Sequence, residues 1–229
     1  MDRGICHLSQ IPLRAEPKSS AEMVSQLLYG ESYAVLEFVD DWYRIKMDFD
    51  GYEGWISQAS FYPFVEISTQ IQLVLYKDHW NNIVGKLPIV TSMGSNISSS
   101  LDAQPKMYLS QLVKAFLGVP YLWGGRHFSG IDCSGFVQVV YKCLGVQLPR
   151  DASQQQKIGK PITFKNLHEG DLVFFEKNER IVHVGIALLG GKIIHAHGMV
   201  RIDELSPKGI LNLQTGIHTH SYYSAKRIR

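Results

Sequence analysis

A run of small polar residues at positions 91–100 divides the chain into two parts with different hydrophobic patterns. Before this run, short apolar stretches such as 33–39 and 42–47 are separated by turn residues, and no long helical period is evident. Short strands at this spacing are typical of a small β-barrel. The polar run itself predicts a loop or linker. We therefore expect an all-β domain over residues 1–103 and a second domain over residues 104–229.

Two further candidate strands lie in the first part of the chain, at positions 71–76 and 83–90. Their apolar content favours strands. The sequence leaves open whether they complete the β-barrel or form a separate extension of it.

The second part of the chain mixes two hydrophobic periods. Residues 108–117 and 134–144 each place apolar side chains on one helical face. Three strand-like runs follow, at 171–175, 182–189 and 192–197. Helices that precede a small antiparallel sheet indicate an α+β domain.

The charge balance and the apolar runs exclude several classes of protein. The chain has 23 Lys and Arg against 21 Asp and Glu, a net charge of +2. It therefore lacks the excess of positive charge that is typical of nucleic-acid-binding proteins. No apolar run approaches the roughly 18 residues of a membrane span, and the N-terminus lacks the apolar core of a signal peptide. We therefore expect a cytoplasmic protein, although a chain whose leader had been removed would look the same and would be periplasmic or secreted. The oligomeric state is left open.

The three cysteines are Cys6, Cys133 and Cys143. Their odd number and irregular spacing imply no disulfide framework, and the absence of a CxxC pair argues against a cysteine-based zinc site. Cys133 falls at or just before the first turn of the helix predicted at 134–144, where unpaired N–H groups and the helix dipole lower the pKa of a thiol. It is therefore a candidate nucleophile. A free cysteine can also be a buried core residue, which is our interpretation of Cys6 and Cys143.

A thiolate nucleophile needs a base, and His183 and His195 are the candidates. They lie on adjacent predicted strands that two glycines separate. A plain two-residue turn would place the imidazoles on opposite faces, whereas a bulge or a loop of three or five residues would place them on one face. A Cys133–His183–His195 triad therefore requires an odd loop or a bulge. His197 shares the face of His195 and is an alternative third residue.

The pairs His195/His197 and His218/His220 offer a different chemistry, because imidazoles two residues apart on a strand share a face and can bind zinc. With nine histidines in the chain, such pairs also arise by chance. Nothing else in the sequence marks a metal site, so we expect neither a metal nor a cofactor.

Several ordered motifs between about 105 and 229 resemble those of the NlpC/P60 cysteine peptidases. They are Tyr-Leu-Trp-Gly-Gly (121–125), Asp-Cys-Ser-Gly-Phe (132–136), Leu-Pro-Arg (148–150), Gly-Asp-Leu-Val-Phe-Phe (170–175), His-Val-Gly-Ile (183–186) and Ile-His-Ala (194–196). The resemblance implies a papain-like α+β fold with Cys133 as nucleophile, His183 as base and His195 as orienter. It also places Tyr121 near the oxyanion, beside the backbone N–H of Cys133.

The first part of the chain resembles a bacterial SH3 (SH3b) domain. The matching motifs are Leu-Leu-Tyr-Gly-Glu (27–31), Asp-Trp-Tyr-Arg-Ile (41–45) and Gly-Tyr-Glu-Gly-Trp-Ile (51–56). SH3b followed by NlpC/P60 resembles the γ-D-glutamyl-L-diamino acid endopeptidases of murein recycling, in which the SH3b domain closes one end of the active site and selects a free N-terminal L-Ala.

A buried ammonium group needs carboxylate and hydroxyl partners. The resemblance suggests that these are Asp132, Ser134, Tyr52 and Glu31, with Asp151 and Ser153 as looser candidates. Each of three has a structural alternative: Asp132 can cap the helix, Tyr52 can pack in the barrel, and Glu31 can be a solvated turn residue. Ala152 stands where relatives can carry serine, which weakens the assignment of Ser153.

The combined expectation is a cysteine endopeptidase that hydrolyses the γ-D-Glu–L-diamino acid bond of a murein peptide, L-Ala-γ-D-Glu-diamino acid. The sequence does not distinguish diaminopimelate from lysine. The alternatives are an amidase or acyltransferase on the same fold, and a non-catalytic cell-wall-binding SH3b protein.

Overall fold

The computed structural model of the protein describes residues 2–64, 71–74, 82–84, 87–98 and 108–228. The strands of the N-terminal sheet are β1 (Arg3–Ile5), β2 (Gln10–Arg14), β3 (Met23–Leu28), β4 (Ser32–Val39), β5 (Trp42–Met47) and β6 (Glu53–Ser57). Antiparallel hydrogen bonding joins them in the order β1-β4-β5-β6-β2-β3. The predicted all-β N-terminal domain is thus confirmed.

The strands of this domain follow the alternation of their sequence. In β5, Ile45 is buried while Arg44 faces solvent, as successive side chains on a strand must. The turn from β4 to β5 is Asp40-Asp41, and both residues have positive φ (48° and 64°), as a type I′ hairpin turn requires. The core consists of Cys6, Ile11, Leu13, Leu27, Tyr33, Ile45, Met47 and Ile56.

Four short strands follow this sheet: β7 (Ile71–Leu73), β8 (Asn82–Val84), β9 (Leu87–Ile89) and β10 (Asn96–Ser98). β7 pairs with β10 and β8 pairs with β9, so these strands form two small sheets apart from the six-stranded one. The prediction of a single strand over 83–90 was wrong, because two parts of that run pair with each other. Positions 75–76 of the strand predicted at 71–76 lie outside the described residues.

Residues 91–97, predicted as part of a linker, are instead mostly buried. The small residues allow close packing: a Cβ on Gly94 would lie 3.0 Å from Val139 Cγ1. At the end of the segment, Asn96 N donates to the Tyr29 carbonyl oxygen at 2.8 Å. The small polar composition therefore reflects close packing between the two domains. Residues 99–105 of the predicted linker lie outside the described residues.

The C-terminal domain contains the helices α1 (Leu109–Ala115), α2 (Cys133–Cys143) and α3 (Ala152–Gln155). Its strands are β11 (Arg126–His127), β12 (Gly130–Ile131), β13 (Lys160–Ile162), β14 (Leu172–Lys177), β15 (Arg180–Leu188), β16 (Lys192–His197), β17 (Met199–Ser206), β18 (Gly209–Leu211) and β19 (His218–Arg227). The predicted α+β domain is confirmed. None of the helices in the described ranges is long and apolar enough to cross a membrane.

The main sheet of this domain is larger than the three strands that the sequence predicted. Its order is β13-β19-β14-β15-β16-β17-β18, and β18 also pairs with β19, so strands β14 to β19 close into a barrel. The barrel encloses a cluster of buried side chains: Val173, Phe175, Ala187, Ile193, Leu205, Ile210 and Ala225. Closure leaves no free edge on these six strands, which makes the barrel a rigid support for side chains at its end.

Helix α2 is the central element that joins the two domains. All residues from Cys133 to Lys142 are buried, because one side of the helix packs on β15 and β16 while another meets Gly94. This burial explains why the apolar stripe at 134–144 is so continuous, and it confirms that the helix begins at the predicted place.

Three buried charged side chains connect the domains, and we call them the interdomain ion triad: Glu31, Arg126 and Lys142. Glu31 accepts hydrogen bonds from Arg126 Nη1 and Nη2 at 2.8 and 2.9 Å, and from Lys142 Nζ at 2.7 Å. The ring of Phe49 lies 5.4 Å from the Arg126 guanidinium carbon and 4.7 Å from Lys142 Nζ. Such charges are stable in a core only when each is paired, so the triad fixes how the domains meet.

Candidate active site

Cys133 is the first residue of α2. The preceding residue, Asp132, caps the helix, because its Oδ1 accepts a hydrogen bond from Gly135 N at 2.7 Å. This bond satisfies one of the N–H groups that open a helix. The Cys133 side chain is only 6% exposed, so the helix end holds the thiol in a fixed position.

The surroundings of Cys133 raise the pKa of its thiol, contrary to the sequence expectation. Burial raises this pKa from 9.0 to about 12, and the negative charge of Asp132 acts in the same direction. Backbone hydrogen bonds that involve Val184 and Ser134 oppose the rise in pKa without reversing it. Desolvation of a thiolate here outweighs the stabilisation by one helix end. The thiol therefore needs a base to remove its proton.

His183 and His195 meet across β15 and β16. The connecting loop has three residues, since Leu188 pairs with Lys192, and three is one of the odd lengths that the triad hypothesis requires. His183 Nε2 and His195 Nδ1 lie 2.8 Å apart. His197 is exposed, and its ring centroid is 6.4 Å from that of His183. Of the two candidate third residues, His195 is thus the one in hydrogen-bond contact with His183.

His183 lies next in the chain to a residue that contacts Cys133. His183 directly precedes Val184, whose backbone contacts the Cys133 sulfur. Because His195 engages Nε2 of His183, Nδ1 is the nitrogen that can face the thiol. Burial, together with the neighbouring imidazole of His195, lowers the pKa of His183 well below its ordinary value. His183 is therefore neutral at neutral pH, as a general base must be.

Two charged residues that the sequence analysis missed adjoin His195. Asp203 is fully buried on β17, and its Oδ2 lies 3.1 Å from His195 Nε2. Arg201, on the same strand, donates from Nη2 to Asp203 Oδ1 at 3.0 Å. The signal in the sequence was Gly198, directly after the strand predicted at 192–197. It forms the tight turn (φ +70°) between β16 and β17, and this hairpin pairs His195 with Arg201. A strand predicted there would have placed 201 and 203 on one face, next to His195.

A further histidine, His220 on β19, stacks on the base. Its ring centroid is 4.1 Å from that of His183, and the two planes are inclined by 22°. Burial and the nearby imidazole of His197 lower the pKa of His220 to about 4. In the part of the chain that the structure describes, no group of three or more His, Cys, Asp or Glu is arranged to hold a metal ion. Both ring nitrogens of His195 are engaged, so the zinc alternative gains no support from the geometry.

A cleft of about 470 Å³ lies between the two domains and reaches Cys133. The residues that line it are Glu22, Val24 and Tyr52 from the N-terminal domain, and Trp123, Asp132, Cys133, Ser134, Arg150, Asp151, Ala152, Ser153, Ile181 and Val182 from the C-terminal domain. The cleft thus brings together most of the substrate contacts predicted from the sequence: Tyr52, Asp132, Ser134, Asp151 and Ser153.

The carboxylate of Asp132 borders the cleft, but protein groups already bind both of its oxygens. Arg150 Nη1 donates to Oδ1 at 3.0 Å, and Gly124 N donates to Oδ2 at 2.8 Å. Arg150 Nη1 also donates to Ser134 Oγ at 2.8 Å. The structure therefore favours the capping alternative for Asp132, whose charge Arg150 neutralises, and it gives Ser134 a place in the same network.

Glu31 is the predicted substrate contact that the structure contradicts. Its carboxylate is 1% exposed, belongs to the interdomain ion triad and does not line the cleft. The alternative of a solvated turn residue is equally wrong. The physical reason is that Arg126 and Lys142 would each be buried without a counter-ion if Glu31 pointed elsewhere.

Two other carboxylates border the cleft and take no part in an ion pair within the described residues: Glu22 and Asp151. Glu22 accepts a hydrogen bond from Trp123 Nε1 at 2.6 Å. Asp151 accepts one from the Tyr52 hydroxyl at 3.4 Å, and burial raises the pKa of Asp151 above its ordinary value. Glu22 lies just before β3 and outside every sequence motif, so it was not among the predicted contacts.

Tyr121 lies on the segment that leads to the cleft. Its backbone N donates to the Gly198 carbonyl oxygen at 2.9 Å, which ties the segment to the turn after β16. Burial raises the pKa of the Tyr121 phenol, and the nearby Cys133 and Asp132 side chains add to the rise. The phenol is therefore protonated at neutral pH and close to Cys133, as a hydrogen-bond donor to an oxyanion must be.

Together these groups can perform nucleophilic acyl transfer. The site combines a thiol of raised pKa with a neutral, buried imidazole, and a second imidazole and a carboxylate orient that imidazole. The backbone N–H of Cys133 opens α2 toward the cleft and can donate to an oxyanion.

Two families match this chain. The NlpC/P60 family matches residues 118–219, and the bacterial dipeptidyl-peptidase SH3 domain matches residues 13–61. The solved structure of an NlpC/P60 family protein from Bacillus cereus ATCC 10987 has the same fold, with a TM-score of 0.80 over 99% of both chains at 19% identity.

Two curated relatives are both named γ-D-glutamyl-L-lysine dipeptidyl-peptidase. The protein from Bacillus subtilis (strain 168) is 29% identical over 211 residues, which cover 75% of this chain and 71% of the relative. The protein from Bacillus cereus (strain ATCC 10987 / NRS 248) is 35% identical over 117 residues, which cover 50% of this chain and 34% of the relative. This chain thus spans about a third of the length of the second relative.

Proposed function

We propose that this chain, whose residues 118–219 match the NlpC/P60 family and residues 13–61 a bacterial SH3 domain, is a cysteine peptidase that hydrolyses the γ-D-Glu–L-diamino acid bond of murein peptides with a free N-terminal L-Ala. The observation that carries this proposal is the cleft itself. The thiol of Cys133 borders the cleft, and Glu22 and Asp151 border it without ion-pair partners among the described residues. The two relatives named γ-D-glutamyl-L-lysine dipeptidyl-peptidase support the same substrate class.

The proposed reaction begins when His183 Nδ1 removes the proton of Cys133. The sulfur attacks the γ-carbonyl carbon of D-Glu, and Tyr121 and the Cys133 backbone N–H stabilise the oxyanion. His183 then protonates the leaving amine of the diamino acid. Water, activated by His183, hydrolyses the thioester to release L-Ala-D-Glu and regenerate the thiol.

The free amine of L-Ala is the feature that the cleft is proposed to recognise. Since Arg150 forms its ion pair with Asp132, Glu22 and Asp151 are the carboxylates of the cleft that have no ion-pair partner among the described residues. The hydroxyl of Tyr52, hydrogen-bonded to Asp151, and that of Ser153 complete a polar pocket for an ammonium group. Because Glu22 and Tyr52 belong to the SH3 domain, this domain limits how much peptide can precede D-Glu.

This preference for short, unblocked peptides favours a role in recycling murein fragments, and we propose a cytoplasmic location for that role. A peptide whose L-Ala amine is acylated carries no positive charge there for Glu22 and Asp151. A recycled peptide carries that charge.

The test is a product analysis with L-Ala-γ-D-Glu-diaminopimelate, the corresponding lysine peptide and their N-acetylated forms. We expect release of L-Ala-D-Glu from the free peptides, and kcat/KM values about 10- to 100-fold lower for the acetylated ones, since a hydrogen bond to a charged group contributes about 1.5–3 kcal/mol. Cys133→Ala should release nothing.

Two outcomes would contradict the proposal. Equal cleavage of free and acetylated peptides would remove the amine-recognition step. Absence of L-Ala-D-Glu would favour the amidase or acyltransferase alternative, and retention of murein binding without any turnover would favour the non-catalytic one.

A further inference from the structure

We propose that Asp203 is a positioning residue that fixes the tautomers of His195 and His183, and thereby leaves Nδ1 of His183 unprotonated toward Cys133. The inference rests on the proposed roles of Cys133 and His183. The geometry that carries it is a continuous row of contacts: Asp203 Oδ2 is 3.1 Å from His195 Nε2, and His195 Nδ1 is 2.8 Å from His183 Nε2.

Burial and the hydrogen-bond donors around Asp203 together determine its charge. Burial alone would raise the pKa of this carboxyl, but hydrogen bonds from His195, Arg201 and the backbone N–H of Leu213 hold it below its ordinary value. The Leu213 N–H donates to Oδ1 at 3.0 Å. Asp203 is therefore ionised at neutral pH, and an ionised carboxylate only accepts hydrogen bonds.

The charge of Asp203 determines which ring nitrogens of His195 and His183 carry a hydrogen. Since Asp203 can only accept, Nε2 of His195 must carry a hydrogen. His195 is neutral at pH 7, because burial lowers its pKa, and a neutral imidazole has one donor and one acceptor. Nδ1 of His195 is then an acceptor, so Nε2 of His183 must be the donor. Neutral His183 consequently has its lone pair on Nδ1, which is the arrangement that can take a proton from Cys133.

The surroundings leave Asp203 as the group that decides between the tautomers. Arg201, which is 12% exposed at its side chain, faces Asp203 and not a ring nitrogen of either histidine. His220 stacks on His183 through its ring face, and the ring of His197 lies 6.3 Å from that of His195. Neither contact selects which ring nitrogen is protonated, whereas a carboxylate in line with Nε2 does.

Asp203→Asn should reverse the direction of the hydrogen bonds that join residue 203, His195 and His183. The amide of Asn can donate to His195 Nε2, which then becomes an acceptor and moves the hydrogen to Nδ1. His195 would donate to His183 Nε2, and His183 would present an N–H to the thiol. Such a His183 cannot accept a proton, so we expect kcat to fall about 100-fold or more, in line with the loss of general-base catalysis. KM should change little, because Asp203 does not line the cleft.

The experiment combines two readouts that need no murein substrate with one that does. Nitrogen-15 NMR of the histidine rings reports which nitrogen is protonated, and the rate of Cys133 alkylation by iodoacetamide against pH reports the base. In the wild type, the hydrogens should lie on Nε2 of both His195 and His183. In Asp203→Asn they should move to Nδ1, and alkylation near pH 7 should slow by about 100-fold. The two alkylation rates should converge at high pH, where hydroxide removes the thiol proton directly.

Two matched variants separate positioning from stability. Asp171→Asn removes another buried aspartate of the same domain, paired with Arg227 at 2.8 Å, and should destabilise the fold without changing either tautomer. Arg201→Gln should leave the hydrogen of His195 on Nε2. Asp203→Glu should keep the wild-type tautomers and recover part of kcat.

A wild-type spectrum with the His195 hydrogen on Nδ1 would overturn the inference, even if Asp203→Asn failed to fold. An unchanged alkylation profile in a folded Asp203→Asn protein would overturn it as well. The proposed function can fail independently: correct tautomers and a sensitive alkylation profile, with no cleavage of any murein peptide, would support the role of Asp203 and refute only the substrate.

Discussion

The substitution Glu31→Gln tests the interdomain ion triad. It removes the carboxylate that faces both Arg126 and Lys142, which are 0% and 6% exposed. Removing one partner of a buried ion pair costs about 3–5 kcal/mol, because the remaining charge is left without compensation. Here one substitution affects two cations, so we expect a loss of at least about 4 kcal/mol in the free energy of unfolding. That is a large part of the roughly 5–15 kcal/mol by which a folded protein is stable.

The assay is urea unfolding followed by tryptophan fluorescence at pH 7. Glu37→Gln is the matched control, since Glu37 lies in the same domain and faces Arg44 at 3.7 Å with its side chain 47% exposed. An exposed pair of this kind contributes about 0–1 kcal/mol. The difference between the two variants therefore measures the effect of burial on one type of ion pair.

The pH dependence provides the refuting result. Burial would raise the pKa of Glu31, but the charges of Arg126 and Lys142 lower it from 4.5 to about 2. A carboxyl with a lowered pKa contributes its full stability above its unfolded pKa of 4.5 and loses it as the pH falls through about 2. The stability difference between wild type and Glu31→Gln should thus shrink only below about pH 4.5. A loss under about 1 kcal/mol at pH 7, or a raised KM with unchanged stability, would contradict this role and restore Glu31 as a substrate contact.

Two further substitutions test the cleft and the domain junction. Glu22→Gln should raise KM for free murein peptides by about 10-fold and leave N-acetylated peptides unaffected. Glu16→Gln, at an exposed position of the same domain, is the control, and an unchanged KM in Glu22→Gln would remove Glu22 from the amine pocket. Gly124→Ala should cost more than about 2 kcal/mol in urea unfolding, since Gly124 has φ +76° and its Cβ would lie 2.3 Å from the Met23 carbonyl oxygen. Gly190→Ala, with φ +74° and open space around it, should show only the backbone cost of about 1–2 kcal/mol, and equal losses in the two variants would mean that the junction tolerates the clash.

The helix that carries Cys133 and the strand of His183 could be predicted because each is a long apolar run that breaker residues bound. The loop between β15 and β16 could not, since Gly190 and Gly191 both adopt positive φ and such glycines fit turns of either parity. The sequence therefore showed that the triad needs a loop with an odd number of residues, but it did not show how many residues the loop has. The three-residue loop of the structure meets that condition.

Glu31 was misplaced because its partners lie far along the chain. Glu31 and Arg126 are 95 residues apart, and Glu31 and Lys142 are 111 apart. A charge is buried only when its partner is present, and no local pattern reveals that partner. Asp203 was missed for a different reason: no strand was predicted over Met199–Ser206, the strand on which it reaches His195. The raised pKa of Cys133 also arises from burial by β15, which a helix-end argument alone does not include.

The central claim is that Cys133 forms a thioester with the γ-carboxyl group of D-Glu. The most direct measurement is rapid acid quenching of wild-type protein mixed with L-Ala-γ-D-Glu-diaminopimelate, followed by proteolysis and mass spectrometry of the peptide that contains Cys133. The predicted result is an added mass equal to one L-Ala-D-Glu acyl group on Cys133, with diaminopimelate released in an equal amount. An adduct on another residue, an acyl group that retains diaminopimelate, or diaminopimelate released without any adduct by both wild type and Cys133→Ala would contradict the claim.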